Sequence, residues 1–344
     1  MRTKYFLYEL KSHFSRIVVM SVFASAIVVI NILSEIDRTS GYLRNSVLGL
    51  FLFVLIVLTL FIPIINFSFT KTRRSTDEFY SLPISKMNLI FVKGAVSVLE
   101  VVIPYTLSFF LGYILILLYG SELYNGYYLL FYLASLLVGI SILFYMIFLY
   151  MQGNTLLDGL IIMGMGTLVF VATIGSILFI LNINFEMIIF TPFYCYYHLS
   201  QLFSSLIETG TYHIGTIGTY SYVNNLIEPI ISYSLTFLLG SGSVILLYFQ
   251  TKKSKAEEAE DLSTSWFGYK TMIPMLMIGF LVSAFEGVAF IVHAFIIILA
   301  IIMTMIEHRS YKLSWKTWGR LGLYLLASIV ISIVFYLFTY NQSM

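Results

Sequence analysis

Four ionisable side chains lie inside or at the ends of long apolar runs, where an unpaired charge is costly. They are Glu100, Glu228, Glu286 and His293. Within a membrane, such residues mark ion or substrate pathways unless they reach water. Glu100 follows Lys93 by seven residues, so an alternative is that its carboxylate extends to the interface. Glu286 and His293, about two helical turns apart, suit substrate or proton handling, and the alternative is that Glu286 lies in an exposed turn.

Sequence motifs for nucleotide binding and hydrolysis are absent. The chain has no G-x-x-x-x-G-K-[ST], and GSGS at 240–243 lacks the lysine. It also has no H-E-x-x-H and no G-x-S-x-G. The single cysteine, Cys195, lies three residues before His198, which gives fewer ligands than a metal site needs. We therefore expect no catalytic residue, metal or bound cofactor on this chain, and no basic patch for nucleic acid.

The composition places these residues in a membrane protein. Of the 344 residues, 59% are hydrophobic and only 10% are charged. The mean hydropathy is +0.93. Soluble domains have about 25% charged residues, and a soluble core cannot hide this much apolar surface. The charged N-terminal segment has no small-residue cleavage site, so we expect no cleaved signal peptide.

The apolar runs predict an all-α polytopic fold, because a spanning helix needs about 20 apolar residues and irregular backbone cannot face lipid. We expect about nine transmembrane helices and an amphipathic interfacial helix at residues 1–15. A core domain, 1–250, holds six spans: 17–34, 46–67, 95–119, 128–151, 159–182 and 227–249. A C-terminal extension, 251–344, holds three more: 271–285, 288–306 and 319–340.

The positions of Lys and Arg predict the orientation. Cytoplasmic segments of membrane proteins carry an excess of these residues. Four segments, 2–16, 71–93, 252–270 and 309–320, hold 17 of the 19 Lys and Arg residues, and the other two are Arg38 and Arg44. This distribution requires two crossings within 271–306, with a turn near 285–287. It predicts a cytoplasmic N-terminus.

The predicted outside segment 183–226 is rich in aromatic residues. It holds ten Phe and Tyr residues and no Lys or Arg. Its pattern between Pro192 and Gly210 predicts an amphipathic helix. One interpretation is an aromatic belt at the interface. The other is a gate or capture surface for an amphipathic or cationic peptide, formed by Phe193, Tyr194, Tyr196, Tyr197 and Phe203.

The most distinctive stretch is the loop between the second and third spans, residues 72–94, TRRSTDEFYSLPISKMNLIFVKG. Ser75 and Glu78 have the spacing of a capping box, which predicts a helix that continues through Leu82. Pro83 ends it, and Ser85 can begin the helix that enters the third span. We expect a short surface helix that exposes an aromatic pair among charges. An ordinary cytoplasmic turn that touches anionic lipid is the alternative.

This loop resembles the cytoplasmic loop of type-2 ABC transporter permeases. In that family a basic stretch, an acidic residue, a Leu-Pro-Ile-Ser/Thr-Arg/Lys run and a later lysine link spans two and three. The N-terminal lead-in, the six core spans, the outside helix and the polar segment AEEAEDLSTSWFGYK are also similar. The chain departs from the family in its three additional spans and in Lys86, where arginine is common.

The resemblance implies a bacterial exporter of peptides or antibiotics in the plasma membrane. The surface helix would be a coupling helix that docks on a separate ABC ATPase subunit, which binds ATP and Mg²⁺. The matching positions are Ser75, Asp77, Glu78, Phe79, Tyr80, Leu82 and Pro83. A second copy or a sister permease would complete the transporter. The alternatives are an ATP-independent transporter and an immunity or sensor protein that binds its ligand outside.

Overall fold

All regular structure in the described part of the chain is helical. A computed structural model describes residues 2–36, 43–119, 126–180, 194–209, 227–253, 259–261, 263, 265, 267–283 and 290–342. The helices are α1 (Arg2–Ile36), α2 (Leu43–Phe67), α3 (Arg73–Tyr80), α4 (Lys86–Tyr119), α5 (Gly126–Gln152), α6 (Leu156–Ile180), α7 (Tyr194–Thr209), α8 (Ile227–Lys253), α9 (Tyr269–Ser283), α10 (Phe290–His308) and α11 (Trp315–Gln342). One turn of 3-10 helix, Ser68–Lys71, follows α2.

Five helices in the described residues are long and apolar enough to cross a membrane. They contribute the stretches Thr3–Ser34, Val47–Lys71, Lys86–Leu118, Gly126–Gln152 and Ser232–Lys253. A chain with this many long apolar helices is a membrane-embedded protein, because water cannot solvate so many apolar faces. The total of nine spans stays a prediction.

The N-terminal segment does not form a helix of its own. The predicted interfacial helix 1–15 and the predicted span 17–34 are parts of one continuous 35-residue helix, α1. Neither Gly nor Pro occurs between Arg2 and Ile36, so nothing in the backbone chemistry ends the helix at residue 15. The block 271–306 contains parts of two helices, α9 and α10. The predicted turn near 285–287 lies outside the described residues.

The chain forms two compact units. The first comprises Met1–Phe148 and Pro192–Glu257, and the second comprises Leu149–Thr191 and Glu258–Met344. The predicted boundary at residue 250 is close to the end of the first unit. The predicted fifth span, 159–182, overlaps α6, which packs against α9 in the second unit.

In the first unit, α1, α2 and α4 form a closely packed group. The core face of α2 presents Leu48, Phe51 and Leu55, which recur at helical spacing and are fully buried. The ring of Phe51 lies 4.7 Å from that of Phe109 on α4. A methyl group at Gly112 of α4 would come within 2.8 Å of Phe51, so the absence of a side chain there allows the two helices to approach.

At Gly240, α8 approaches α5 more closely than α4 approaches α2 at Gly112. A Cβ at Gly240 of α8 would lie 2.6 Å from the Cα of Ser141 on α5. Gly139 of α5 similarly contacts Leu55 of α2. Small residues on α5 and α8 thus allow these helices to pack closely.

The second unit contains a polar layer at the start of α6 and α9. Tyr269 donates a 2.8 Å hydrogen bond from its hydroxyl to Asp158 Oδ1. Ser263 donates a 2.6 Å bond to the carbonyl of Gln152, and the backbone N–H of Glu260 donates to the carbonyl of Asn154. These bonds attach part of the polar segment after α8 to the loop before α6.

Candidate functional site

The candidate site begins at α3, the surface helix between α2 and α4. Thr72 precedes it in an extended conformation, and its side chain does not cap the helix. Ser75 instead donates a 2.7 Å bond to the carbonyl of Phe69, and buried Thr76 donates to the same carbonyl at 3.1 Å. These bonds attach α3 to the 3-10 turn. The helix begins at Arg73, two residues before Ser75, which the predicted capping box places at the helix start.

The predicted capping box is therefore wrong. Ser75 lies inside the first turn of α3, where its hydroxyl donates to carbonyls rather than accepting an amide. Glu78 does not reach back to Ser75, and its Oε1 lies 3.4 Å from Nε of Arg74 in an exposed i,i+4 pair. The predicted break is confirmed, because α3 ends at Tyr80 and Pro83 follows in the turn. Ser85 begins α4, as predicted, and its Oγ accepts from the N–H of Asn88.

Phe79 faces inward instead of outward. Its ring centre lies 4.5 Å from that of Phe69, and the ammonium of Lys93 lies 4.6 Å from Phe79 and 4.9 Å from Phe69. A cation placed on aromatic faces in a desolvated position is held by the ring quadrupoles. Because Lys93 belongs to α4, this contact connects the surface helix to a long apolar helix.

Tyr80 is half-buried beneath Lys86, whose ammonium lies 4.8 Å from the ring centre. Burial raises the pKa of Tyr80 to about 12, so the hydroxyl is neutral at physiological pH. The expected exposed aromatic pair is therefore partly covered. The exposed members of the predicted coupling set are Asp77, Glu78, Leu82 and Pro83.

Lys93 also joins an ionic cluster, formed by Glu9, His13, Arg16, Asn66, Lys93, Ser97 and Glu100. Nζ of Lys93 lies 3.4 Å from Oε1 of Glu9, and both side chains are buried. Tyr5 donates a hydrogen bond to the same carboxylate. His13 lies between the two acids, with Nε2 3.3 Å from Glu9 and Nδ1 3.0 Å from Glu100.

Glu100 is at the fully buried end of the ionic cluster. Arg16 of α1 donates to Oε1 of Glu100 through Nε at 3.0 Å and through Nη2. Asn66 of α2 donates to Oε2 of Glu100 and, at 2.7 Å, to Ser97. Glu100 therefore binds α1 and α2 at once. None of the side chain of Glu100 is exposed, so its carboxylate is held by protein partners; its depth relative to the membrane interface stays a prediction.

The charges of the ionic cluster balance. Two carboxylates, Glu9 and Glu100, form ion pairs with two basic side chains, Lys93 and Arg16. Breaking a buried pair leaves an uncompensated charge, which costs about 3–5 kcal/mol, whereas the intact pair contributes little net stability. The ionic cluster therefore determines how α1, α2 and α4 fit together more than it stabilises the fold.

Sequence reasoning missed most of this cluster, although a signal was present. Glu9, His13 and Arg16 have the spacing i, i+4, i+7, and Lys93, Ser97 and Glu100 have the same spacing. Residues at this spacing share one face of a helix. Two polar stripes of equal length on otherwise apolar helices predict that the stripes meet, because each would be costly in lipid.

The predicted gate or capture residues on α7 are not all on the surface. Tyr196 and Phe203 are buried, with Phe203 edge-on to Phe131 of α5 at 5.5 Å, while Tyr197 is exposed. Phe193 lies outside the described residues, as does the side chain of Tyr194. Leu199, Leu202 and Phe203 line one side of an apolar crevice of about 260 Å³ between α5, α7 and α8.

The remaining polar candidates are less informative. Glu286 lies outside the described residues, and so does the side chain of His293 on α10. Cys195 is buried on α7, and burial raises the pKa of its thiol to about 12. In the part of the chain that the structure describes, no three His, Cys, Asp or Glu side chains come together to hold a metal ion.

No protein-family model matches the chain, and comparisons with curated proteins and with solved structures found no match.

Proposed function

We propose that this chain is the transmembrane permease subunit of an ATP-driven ABC exporter of the type-2 kind. It would move a peptide or peptide antibiotic out of a bacterial cell, while a separate ATPase chain binds ATP and Mg²⁺ and hydrolyses the ATP. The observation that carries the proposal is the contact of Phe79 on α3 with Lys93 on α4. A surface helix attached in this way can pass a mechanical load to the apolar helices.

The two faces of the loop suit the two tasks of a coupling element. The outer face presents Asp77, Glu78, Leu82 and Pro83, which offer charge and a small apolar surface to a partner. The inner face places Phe79 and Thr76 against the 3-10 turn. A partner that grips the outer face would therefore move the 3-10 turn and α4 together with α3.

The ionic cluster supports a path for that movement. Lys93 contacts Glu9 of α1, and Glu100 contacts Arg16 of α1 and Asn66 of α2. A displacement of α4 would consequently be felt by both other helices, because their buried charges cannot part without a cost of several kcal/mol. In this proposal, closure of the ATPase pair shifts these helices between inward-open and outward-open arrangements.

The proposed assembly contains two permease chains and two ATPase chains in the plasma membrane. The second permease is another copy of this chain or a sister permease. The N-terminus and α3 lie on the cytoplasmic side, which agrees with the excess of Lys and Arg in residues 2–16 and 71–93.

The test is co-purification with a candidate ABC ATPase from the same cell, sought first among the coding sequences next to that of this chain. Asp77→Lys and Glu78→Lys reverse exposed charges on the outer face of α3. We expect each to reduce the recovered ATPase about tenfold or more and to abolish cargo-stimulated ATP hydrolysis, because charge reversal at a docking surface costs several kcal/mol.

Lys253→Glu is the matched control, since it reverses an exposed charge at the C-terminal end of α8, in another predicted cytoplasmic segment. It is expected to leave ATPase recovery unchanged. Normal recovery and hydrolysis in both α3 variants would show that α3 is not the docking element.

A further inference from the structure

The segment that leads into α11 exposes large aromatic rings. Tyr311 and Trp315 are each 92% exposed, and Trp318 is 44% exposed. Such rings in water are unfavourable, and Trp and Tyr concentrate where a membrane meets water because they have an apolar body and a polar end.

Two lysines alternate with these rings. Lys312 and Lys316 are exposed and flank Trp315, and no Asp or Glu occurs anywhere between residues 309 and 344. Among the residues that the structure describes, none forms an ion pair with either ammonium. Within the described residues the segment is therefore a positive surface that can attract an external anion.

Trp315 lies at the end of a stripe of exposed apolar side chains on α11. Leu326 and Ile333 follow it by 11 and 18 residues, which are close to three and five full helical turns, and both side chains are exposed. At 1.5 Å per residue, Trp315 and Ile333 are about 27 Å apart, close to the roughly 30 Å thickness of the hydrocarbon core. The exposed stripe would match the hydrocarbon core if α11, whose span 319–340 is a sequence prediction, crosses the membrane, and Trp315 would then fall at the level of the headgroups.

We propose that Tyr311, Lys312, Trp315 and Lys316 form a binding site for the headgroup of an anionic phospholipid. The indole and phenol rings lie among the glycerol groups, and the two ammonium groups contact the phosphate and the additional negative charge. The acyl chains of the same lipid lie along the stripe that contains Leu326 and Ile333. Phosphatidylglycerol, abundant in bacterial membranes, has this chemistry, and zwitterionic phosphatidylcholine lacks the net charge.

The experiment uses Trp315 as a local reporter. The chain has three tryptophans, so Trp266→Phe with Trp318→Phe leaves Trp315 alone. The protein is reconstituted over the same series of mole fractions of brominated phosphatidylglycerol or brominated phosphatidylcholine. Quenching of tryptophan fluorescence is measured at each mole fraction. We expect the anionic lipid to quench at several-fold lower mole fraction, because each lysine near the surface favours it.

The lysines provide the second arm of the experiment. Lys312→Gln with Lys316→Gln is expected to raise the mole fraction of anionic lipid that gives half-quenching by the same several-fold factor, to the level of phosphatidylcholine. Lys252→Gln with Lys253→Gln, at the end of α8, is the control and is expected to change nothing. If the single-tryptophan protein does not fold, the difference in quenching between wild type and Trp315→Phe gives the same quantity.

Equal quenching by the two lipids would overturn the proposal and leave an aromatic belt without headgroup preference. Absence of quenching by both would also overturn it, since a protein partner would then cover Trp315. Neither outcome bears on α3, so this site and the proposed coupling helix can fail independently.

Discussion

Lys93 has the most demanding environment of any residue in the candidate site. Its ammonium has two aromatic rings on one side and the Glu9 carboxylate on the other, and it is buried from water. Desolvation of an ammonium is costly, and the carboxylate and the ring faces offset part of that cost. Lys93 therefore contacts both α3 and α1, and a movement of either helix changes its environment.

Replacement of Lys93 tests this role. Lys93→Met keeps much of the side-chain length but leaves Glu9 without its cation, and we expect a loss of about 3–5 kcal/mol in the free energy of unfolding. The double variant Glu9→Gln/Lys93→Met, which has neither charge, should recover most of that loss. Unfolding in detergent measures all three variants as a double-mutant cycle.

Lys86→Met is the matched control for that cycle. Lys86 lies over the half-buried ring of Tyr80 and is expected to contribute about 1 kcal/mol or less. Additive effects of the Glu9 and Lys93 substitutions would mean that the pair is not coupled.

His198 makes stability depend on pH. Burial lowers the pKa of its imidazole, so the unfolded chain takes up the proton first as the pH falls below about 6.5. The contribution of neutral His198 is therefore fully present above that pH and is lost as the pH falls through the lower pKa of the folded state. We expect the decrease in melting temperature between pH 7 and pH 5 to be smaller in His198→Gln than in wild type.

The comparison has an internal control. Between pH 7 and pH 9 the imidazole is neutral in both states, so the two melting curves should run parallel. If the two proteins differ in melting temperature as much at alkaline pH as at pH 5, the effect of the substitution is due to packing and not to protonation.

At the scale of helices, the approach of α8 to α5 depends on one missing side chain. Gly240→Ala would place a methyl group 2.6 Å from the Cα of Ser141, which is backbone and cannot move aside locally. Overpacking of this kind costs about 1–3 kcal/mol, and we expect a lower melting temperature in detergent.

Gly242→Ala is the control, because a Cβ there meets nothing within 4 Å. It makes the same change on the same helix and should leave the melting temperature unchanged or slightly higher, given the better helix propensity of alanine. Equal melting of the two variants would mean that α5 and α8 do not pack as described.

The helices also show what could be predicted from sequence. Long apolar runs bounded by Pro83, Ser85 and charged segments gave helix ends close to those observed, since these signals act within a few residues. The inward position of Phe79 could not be predicted in that way. It depends on Phe69 and on Lys93, which contact it only after the loop folds back on α4.

The ionic cluster could not be predicted from the sequence for a related reason. The partners of Glu100 come from α1 and α2, and periodicity along one helix does not tell which helices are neighbours. The sequence of residues 1–15 predicts an interfacial helix, because polar residues beside aromatic ones are typical both of a membrane surface and of a buried ionic contact.

At the scale of the whole molecule, the division into two units changes what a truncated chain should do. The predicted core, 1–250, would include α6 but remove α9, against which α6 packs. It would also remove Tyr269, the hydrogen-bond partner of Asp158. We expect a chain ended after residue 250 to lose compact folding around α6.

Limited proteolysis and size-exclusion chromatography in detergent measure this outcome. Cleavage near residues 152–158 should be much faster in the truncated chain than in the full chain, and aggregation should increase. A truncated chain that is monodisperse and as resistant as the full one would support the predicted domain boundary at residue 250.

The balanced charges around Lys93 and Arg16 also bear on how related sequences can diverge. A lineage that replaces Lys93 with a neutral residue must at the same time, or soon after, neutralise Glu9, and Arg16 and Glu100 are tied in the same way. Single steps pass through an intermediate with a stranded charge, so such exchanges should be rare and inherited as pairs. Natural variation at positions 9, 16, 93 and 100 would then be correlated. The exposed positions of α3 would instead vary with the protein that binds them.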